Sequence, residues 1–374
     1  MTGSANAATT RSADEIVDAQ AWLCDLAVPT VRTDSLQTFI KQETIFVSVR
    51  TASGVAGLGY SYTIGVGGRS VLSLLRESLL AGLIGADIAR VEAIWSRCYN
   101  VVRSLAPGAV SALALAAIDT AVWDAQGRSQ QLPLWKQAGG AKSGIAVYDT
   151  EGGWLHLDRD QLVAGAVDAQ RRGLSGVKIK VGRPSAAEDH DRLKAVRDAV
   201  GPDFDLMVDA NQCFTLAEAA RRAAMWEPLD LAWFEEPLPA QDVSGHRRLV
   251  AGASIPIAVG ETLYSLADFA EYLHSDAVGI IQPDVSRIGG ITPWLKAAHL
   301  AQAHNVKVAP HFLMELHLPL VCAVANSSYL EHIPQLQDVM TAPIDIVGGE
   351  ARPTDLPGLG IAWDHAAIER LRVV

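Results

Sequence analysis

The sequence predicts an α/β protein: a modified (β/α)8 barrel of the TIM type, closed by a smaller α+β capping domain. Three observations predict it. First, eight short apolar runs follow one another after residue 145, and Ala-rich, charged helical stretches separate them. Second, each run ends in an acidic or basic residue at an interval that suits one strand–helix–loop unit. Third, the first 140 or so residues follow a different pattern, with longer alternating stretches and two helical segments.

The eight runs are IAVYDT, GVKIKV, DLMVDAN, LAWFEEP, IPIAVGE, VGIIQPD, VKVAPH and SYLEH. Apolar runs linked by helical crossovers are the signature of parallel strands covered by helices. Eight such units match a closed barrel. A doubly wound open sheet is the competitor, and no GxGxxG supports a dinucleotide domain. The barrel is expected over residues 141–332. Residues 1–140 form the cap, with 1–15 read as a frayed leader. Residues 333–374 close the barrel and join the cap.

Within the cap, TIFVSVRTAS (44–53) alternates as a half-buried strand does. GLGYSYTIGVGG continues it into a glycine-rich loop at 65–68. That loop lacks the GxxxxGK[ST] pattern of a phosphate loop and reads as a flap. Helices are expected at 71–97 and 109–128. The second, AVSALALAAIDTAVWDAQGR, is apolar on most faces and is expected to be buried.

The 374 residues carry a net charge of −11, with 49% apolar and 20% charged residues. This allows a large core, excludes disorder as a class, and disfavours a nucleic-acid partner. No apolar stretch reaches the roughly 18 residues of a membrane span, and the N-terminus does not read as a signal peptide. Cys24, Cys98, Cys213 and Cys322 form no CxxC pair and read as buried free thiols. A soluble cytoplasmic protein is the expectation.

The run ends carry the chemistry. They supply Lys178 and Lys180, Asp209, Glu235 with Glu236, Glu261, Asp284, His311 and Glu331; from Lys180 onward the intervals are 29, 26, 26, 23, 27 and 20 residues. In a barrel these side chains meet at the C-terminal mouth. Asp209, Glu235 and Glu261 would repel one another there, and a hard cation such as Mg2+ resolves the repulsion. The competing reading is that each acid caps the helix after it. Lys178 and Lys180 are two apart and point the same way on a strand. Near a metal and a second ammonium, the Lys180 pKa is expected to fall until it can act as a base, while Lys178 could hold a substrate carboxylate. The bland alternative for both is an internal salt bridge. An Asp284–His311 hydrogen bond would make a second acid/base. Glu331, if protonated, could donate to a carboxylate turning into an enediolate. His317 reads as structural.

These stretches resemble the enolase superfamily, in its mandelate racemase-like group. The matching motifs are VKIKVG, MVDANQ, WFEEPL, VGETL, QPDVSRIGGIT, APH and YLEH, with IDTAVWDAQGR in the cap. The resemblance implies one Mg2+ per subunit on Asp209, Glu235 and Glu261, with Glu236 behind them. It implies Lys180 as one base, the Asp284–His311 dyad as the other on the opposite face of the substrate carbon, Lys178 as a carboxylate holder, and Glu331 as its hydrogen-bond partner. Asn211 would neighbour the metal, Tyr148 and Thr150 would line the pocket, and Arg69 could reach a distal carboxylate from the flap. Further stretches, including VYDTEGGWLH and APHFLMELHLPL, are similar to acid-sugar dehydratases of that group. They imply removal of the proton next to a carboxylate of an aldaric acid, then loss of water. The alternatives are racemisation of a 2-hydroxy acid, cycloisomerisation, dehydration of another sugar acid and, in a different class, a non-catalytic binding role. A small-molecule sugar acid and further copies of the chain (a dimer to an octamer) are the implied partners.

Overall fold

In the computed structural model, residues 12–39, 41–106 and 108–374 are described; residues 1–11 of the expected leader lie outside them. The cap is built on an antiparallel sheet of β1 (Ile16–Leu26), β2 (Gln42–Thr51) and β3 (Ala56–Thr63), in the order β1-β2-β3. Three α-helices follow: α1 (Gly68–Leu74), α2 (Val91–Val102) and α3 (Ala109–Gln130). The single helix expected at 71–97 is interrupted. A π turn and a 3-10 turn extend α1 to Leu83, and Gly85, at a φ of 81°, lies in the break before α2.

The apolar α3 packs against β3. Gly57 and Gly59 permit this approach: a Cβ on Gly59 would lie 2.1 Å from the Ala121 nitrogen. The edge of β3 is closed by side chains of the same helix. Leu58 N donates to Asp124 Oδ2 at 2.9 Å and Tyr60 N to Thr120 Oγ1 at 3.1 Å. An edge whose donors are satisfied in this way does not recruit another strand. Residues 373 and 374 join the same sheet, with Leu23 N donating to Val374 O and Val373 N to Leu23 O. Trp363 packs edge-on against Phe46 and Tyr60.

All eight expected runs contain barrel strands: β4 (Ile145–Asp149), β5 (Gly176–Lys180), β6 (Asp205–Asp209), β7 (Trp233–Glu235), β8 (Ile257–Val259), β9 (Ile280–Ile281), β10 (Lys307–Val308) and β11 (Leu330–His332). They pair in parallel from β4 to β10, and β11 pairs in parallel with β4. A bridge between Val308 and Ser327 closes the ring and excludes the open sheet. Alternation then sorts the side chains. Val177, Ile179, Leu206, Val208 and Phe234 pack outward in the core shared with the helices. Tyr148, Met207, Trp233, Ala258 and Ala309 fill a layer within the barrel, beneath the mouth. Residues two positions further along β6 and β7, Asp209 and Glu235, therefore enter the mouth itself.

The cap is tied to the barrel by buried polar contacts. Asp119 on α3 accepts from Thr292 N at 2.9 Å and Thr292 Oγ1 at 2.7 Å. The loop after β1 lies over the mouth: Leu155 N donates to Thr33 O and Ser35 Oγ to Ala210 O, and Arg32 forms an ion pair with Glu151. No helix among the described residues is long and apolar enough to cross a membrane. All four cysteines are free thiols; Cys24, Cys98 and Cys322 are buried, and Cys213, expected inside, is exposed.

Candidate active site

The mouth gathers the strand-end residues. Ligand oxygens of Asp209, Glu235 and Glu261 all lie within 4.8 Å of one another, on buried residues. Burial raises the Glu235 carboxyl, and the charges of Asp209 and Glu261 add to the rise against the pull of Lys178. Such mutual repulsion is what a bound cation relieves, and an all-oxygen donor set fits Mg2+. Asn211, in the left-handed region at a φ of 43°, knits the triad together. Its backbone N donates to Asp209 Oδ1 at 2.8 Å and its side-chain amide to Glu261 Oε1 at 3.3 Å. Glu236 is fully buried behind these acids, and burial, then the Glu261 charge, raises its carboxyl well above the ordinary range.

Lys178 and Lys180 both point inward from β5. Lys178 Nζ lies 2.9 Å from Glu235 Oε1 and 2.9 Å from Glu331 Oε1, with no solvent exposure. Removing one partner of such a pair typically costs about 3–5 kcal/mol, because a buried charge is left uncompensated. Lys180 Nζ pairs with Asp209 and donates to Asn211 Oδ1 at 3.0 Å. The expected fall of its pKa belongs to the cation-loaded site. With no cation beside it, burial pulls the ammonium down most strongly, but the carboxylates of Asp209, Glu261 and Glu235 together outweigh burial and the net direction is upward. Positive charge held by the triad would compete for those carboxylates and oppose the rise.

His311 Nδ1 sits 3.0 Å from Asp284 Oδ2, and His311 Nε2 sits 3.0 Å from Glu261 Oε2. Burial raises the Asp284 carboxyl, but the hydrogen bond and charge of His311, with Arg287, hold it at about 2. Its second oxygen accepts from Ser286 N at 2.8 Å and Arg287 N at 3.2 Å. His317 lies nearby but is buried, accepts from Val285 N at 3.0 Å, and is pushed down to about 4 chiefly by burial. It is held as a neutral structural group.

Three expectations change. Glu331 does not present a proton: it accepts from Thr150 Oγ1 at 2.6 Å and Phe312 N at 2.6 Å and pairs with Lys178. Burial raises its carboxyl, but Lys178, His311 and these donors more than reverse that. Tyr148 does not line the mouth, because its side chain joins the inward layer, edge-on to Trp233 and under Lys178. Arg69 stands exposed on α1 and is not part of the wall around the mouth. The flap itself is tied down, with Gly68 N and Thr63 Oγ1 both donating to Glu43 Oε2.

Several residues at the site carry no strand-end signal. The mouth cavity, about 210 Å³, is walled by Asp34, Phe39, Trp154, Arg287 and Phe312 together with Thr150, Lys180, Asn211 and His311. Phe39 touches both Trp154 and Phe312, which makes this part of the wall aromatic. Gln282 Nε2 donates to Glu235 Oε2 at 2.7 Å, and Trp233 Nε1 to the same oxygen at 3.1 Å. Trp233 could have been found from its place two residues before Glu235.

Fold and site together define a barrel enzyme built around a carboxylate-bound divalent cation. Residues 161–367 match the family model described as enolase C-terminal domain-like, and residues 23–139 match the mandelate racemase/muconate lactonizing enzyme N-terminal domain. The chain belongs to the mandelate racemase/muconate lactonizing enzyme group of the enolase superfamily. It is 35% identical to L-talarate/galactarate dehydratase of Salmonella typhimurium over 373 residues, covering 97% of this chain and 94% of that one. It is also 35% identical to 3,6-anhydro-alpha-L-galactonate cycloisomerase of Streptomyces coelicolor over 354 residues, covering 93% and 97%. The Salmonella dehydratase with Mg and L-lyxarohydroxamate superposes with a TM-score of 0.92 at 33% identity, over 100% of this chain and 96% of the other. L-talarate dehydratase of Polaromonas sp. JS666 with Mg and L-glucarate gives 0.89 at 34% identity, over 96% and 98%.

Proposed function

We propose that this chain is a Mg2+-dependent acid-sugar dehydratase acting on an aldaric acid, galactarate or L-talarate. The observation that carries it is one mouth holding a hard-cation triad on β6–β8, with Lys180 on β5 to one side and the His311–Asp284 pair to the other. Asp209, Glu235 and Glu261 would hold Mg2+, which supplies positive charge beside the substrate carboxylate. Lys178 sets the orientation of Glu235, and Glu331 and Thr150 flank the position of that carboxylate.

The α C–H bond breaks as Lys180 or His311 takes the proton, and the electron pair collects on the carboxylate. The C3–O bond then breaks, the other group in its protonated form gives its proton to the leaving hydroxyl, and water departs. The enol product becomes a 3-deoxy-2-keto diacid. The developing charge is what makes the cation and the buried ammonium necessary. A homo-oligomer working in the cytoplasm completes the proposal.

One observation favours a second reading, dehydration of an aldonic acid. Asp34 brings a carboxylate to the wall, and the basic side chains among the described wall residues, Lys180, Arg287 and His311, each face a carboxylate already. A single screen separates the readings. Purified protein with Mg2+ is incubated in D2O with mono- and diacid sugars, scoring 2-keto acid and deuterium at the α carbon. Keto acid from galactarate or L-talarate is expected. Keto acid from monoacids alone would replace the substrate, and deuterated epimer without keto acid would replace dehydration by racemisation.

A further inference from the structure

The two candidate bases are gripped differently, and one grip comes from the cap. Tyr62, on β3, is buried and donates its hydroxyl to Asp284 Oδ2 at 2.7 Å. That is the oxygen 3.0 Å from His311 Nδ1. The Tyr62 ring stacks on Phe312 at 4.8 Å, and Phe312 in turn stacks on the His311 ring at 5.3 Å. Phe312 has a φ of 65°, a backbone region that side chains with a Cβ rarely adopt. Its ring lies between the other two and touches both.

We propose that Tyr62 is a positioning residue through which the cap orients the His311 imidazole for proton transfer on its face of the substrate. Two contacts fix the ring. The phenol hydrogen bond locates the Asp284 oxygen to which Nδ1 is bonded, and the aromatic stack sets the ring plane. Together they aim Nε2 into the mouth. Among the described residues Lys180 is hydrogen-bonded differently: its partners, Asp209 and Asn211, belong to β6 and the turn after it. The step that Tyr62 serves is simple. The substrate C–H bond breaks, the proton moves to Nε2, the Nδ1 proton stays in its bond to Asp284, and the pair remains on the substrate. A positioned base needs only a small misalignment to lose rate, because proton transfer requires hydrogen-bond reach.

This inference rests on the two-base reading of the site, and the test keeps the two apart. The Mg2+-loaded Tyr62→Phe protein is compared with the unaltered chain, and Lys180→Ala and His311→Asn are measured beside it. Each is supplied in D2O with a substrate of the series and its C2 epimer, and deuterium wash-in at C2 is followed for both. The phenylalanine keeps the stack and removes only the hydroxyl. The ratio of His311-face to Lys180-face exchange is expected to fall about tenfold. Because both faces are read in one sample, a partly unfolded fraction lowers both and leaves the ratio alone. An unchanged ratio, with His311→Asn abolishing exchange on one face, overturns the role of Tyr62 and leaves the bases standing. Loss of neither face in His311→Asn overturns the two-base reading and the inference with it.

Discussion

The Lys180 and His311 sides of the mouth are built to different plans. Lys180 is held by groups 29 and 31 residues away, on the neighbouring strand and its turn. His311 is held by Asp284 on the adjacent strand, and Asp284 is held in turn by Tyr62, 222 residues away in the cap. The groups that hydrogen-bond Lys180 both come from the barrel; one that fixes the His311 side comes from the cap. The consequence is asymmetry: a disturbance of the cap should reach the His311 face first, while a disturbance of the β5–β6 pair should reach Lys180.

The largest expected effect removes the difference altogether. Chelation of the divalent cation should abolish exchange and dehydration on both faces, with activity restored by Mg2+. Both faces use the same charge stabilisation, so selective survival of one face would show that it does not depend on the triad. Next in size are the bases themselves. Lys180→Ala and His311→Asn should each lower proton exchange on its own face by roughly 10³-fold, within the range for general acid–base groups. Stopped-flow or NMR wash-in with C2 epimers reads this directly. An equal loss on both faces in either variant would mean that a single base serves both.

The same asymmetry explains what was legible in the sequence. The barrel and its mouth were readable because strand alternation and crossover length repeat along the chain. Two residues apart on β5 means one direction, and about 26 residues between strand ends means one more unit around the ring. Asp209, Glu235, Glu261, Asp284 and His311 all follow from that regularity. Tyr62, Phe39 and Asp34 do not, because their places depend on how the cap docks, and no local period encodes docking. Arg69 was misplaced for this reason: the flap turns into α1 at Gly68, and its first exposed side chain leaves the mouth. Lys180 and Glu331 both line the mouth, and Glu331 is held as a carboxylate where a proton was expected. The balance between burial and the nearest opposite charge is settled by contacts such as Lys178–Glu331, which spacing alone does not reveal.

The smallest expected effect concerns a cap residue that reaches Lys180 itself by charge and not by a hydrogen bond. Asp34 Oδ1 is occupied by the backbone N–H groups of Leu36 and Gln37, at 2.7 and 2.8 Å. Burial raises its carboxyl, and the positive charge of Lys180 works in the opposite direction. A carboxylate here accepts hydrogen bonds from the hydroxyls of a polyol and repels a second carboxylate on the substrate. Asp34→Asn keeps the shape and removes the charge. For a diacid, relief of one repulsion between partly exposed charges is worth about 1 kcal/mol, which corresponds to a KM lower by roughly fivefold. For a monoacid of the same length, KM should stay level or rise as an acceptor weakens. Steady-state kinetics on a matched aldarate and aldonate pair measures the difference. Equal KM changes for the two acids would remove Asp34 from substrate selection. The ratio of exchange on the two faces should stay as it was, since neither base takes its position from Asp34.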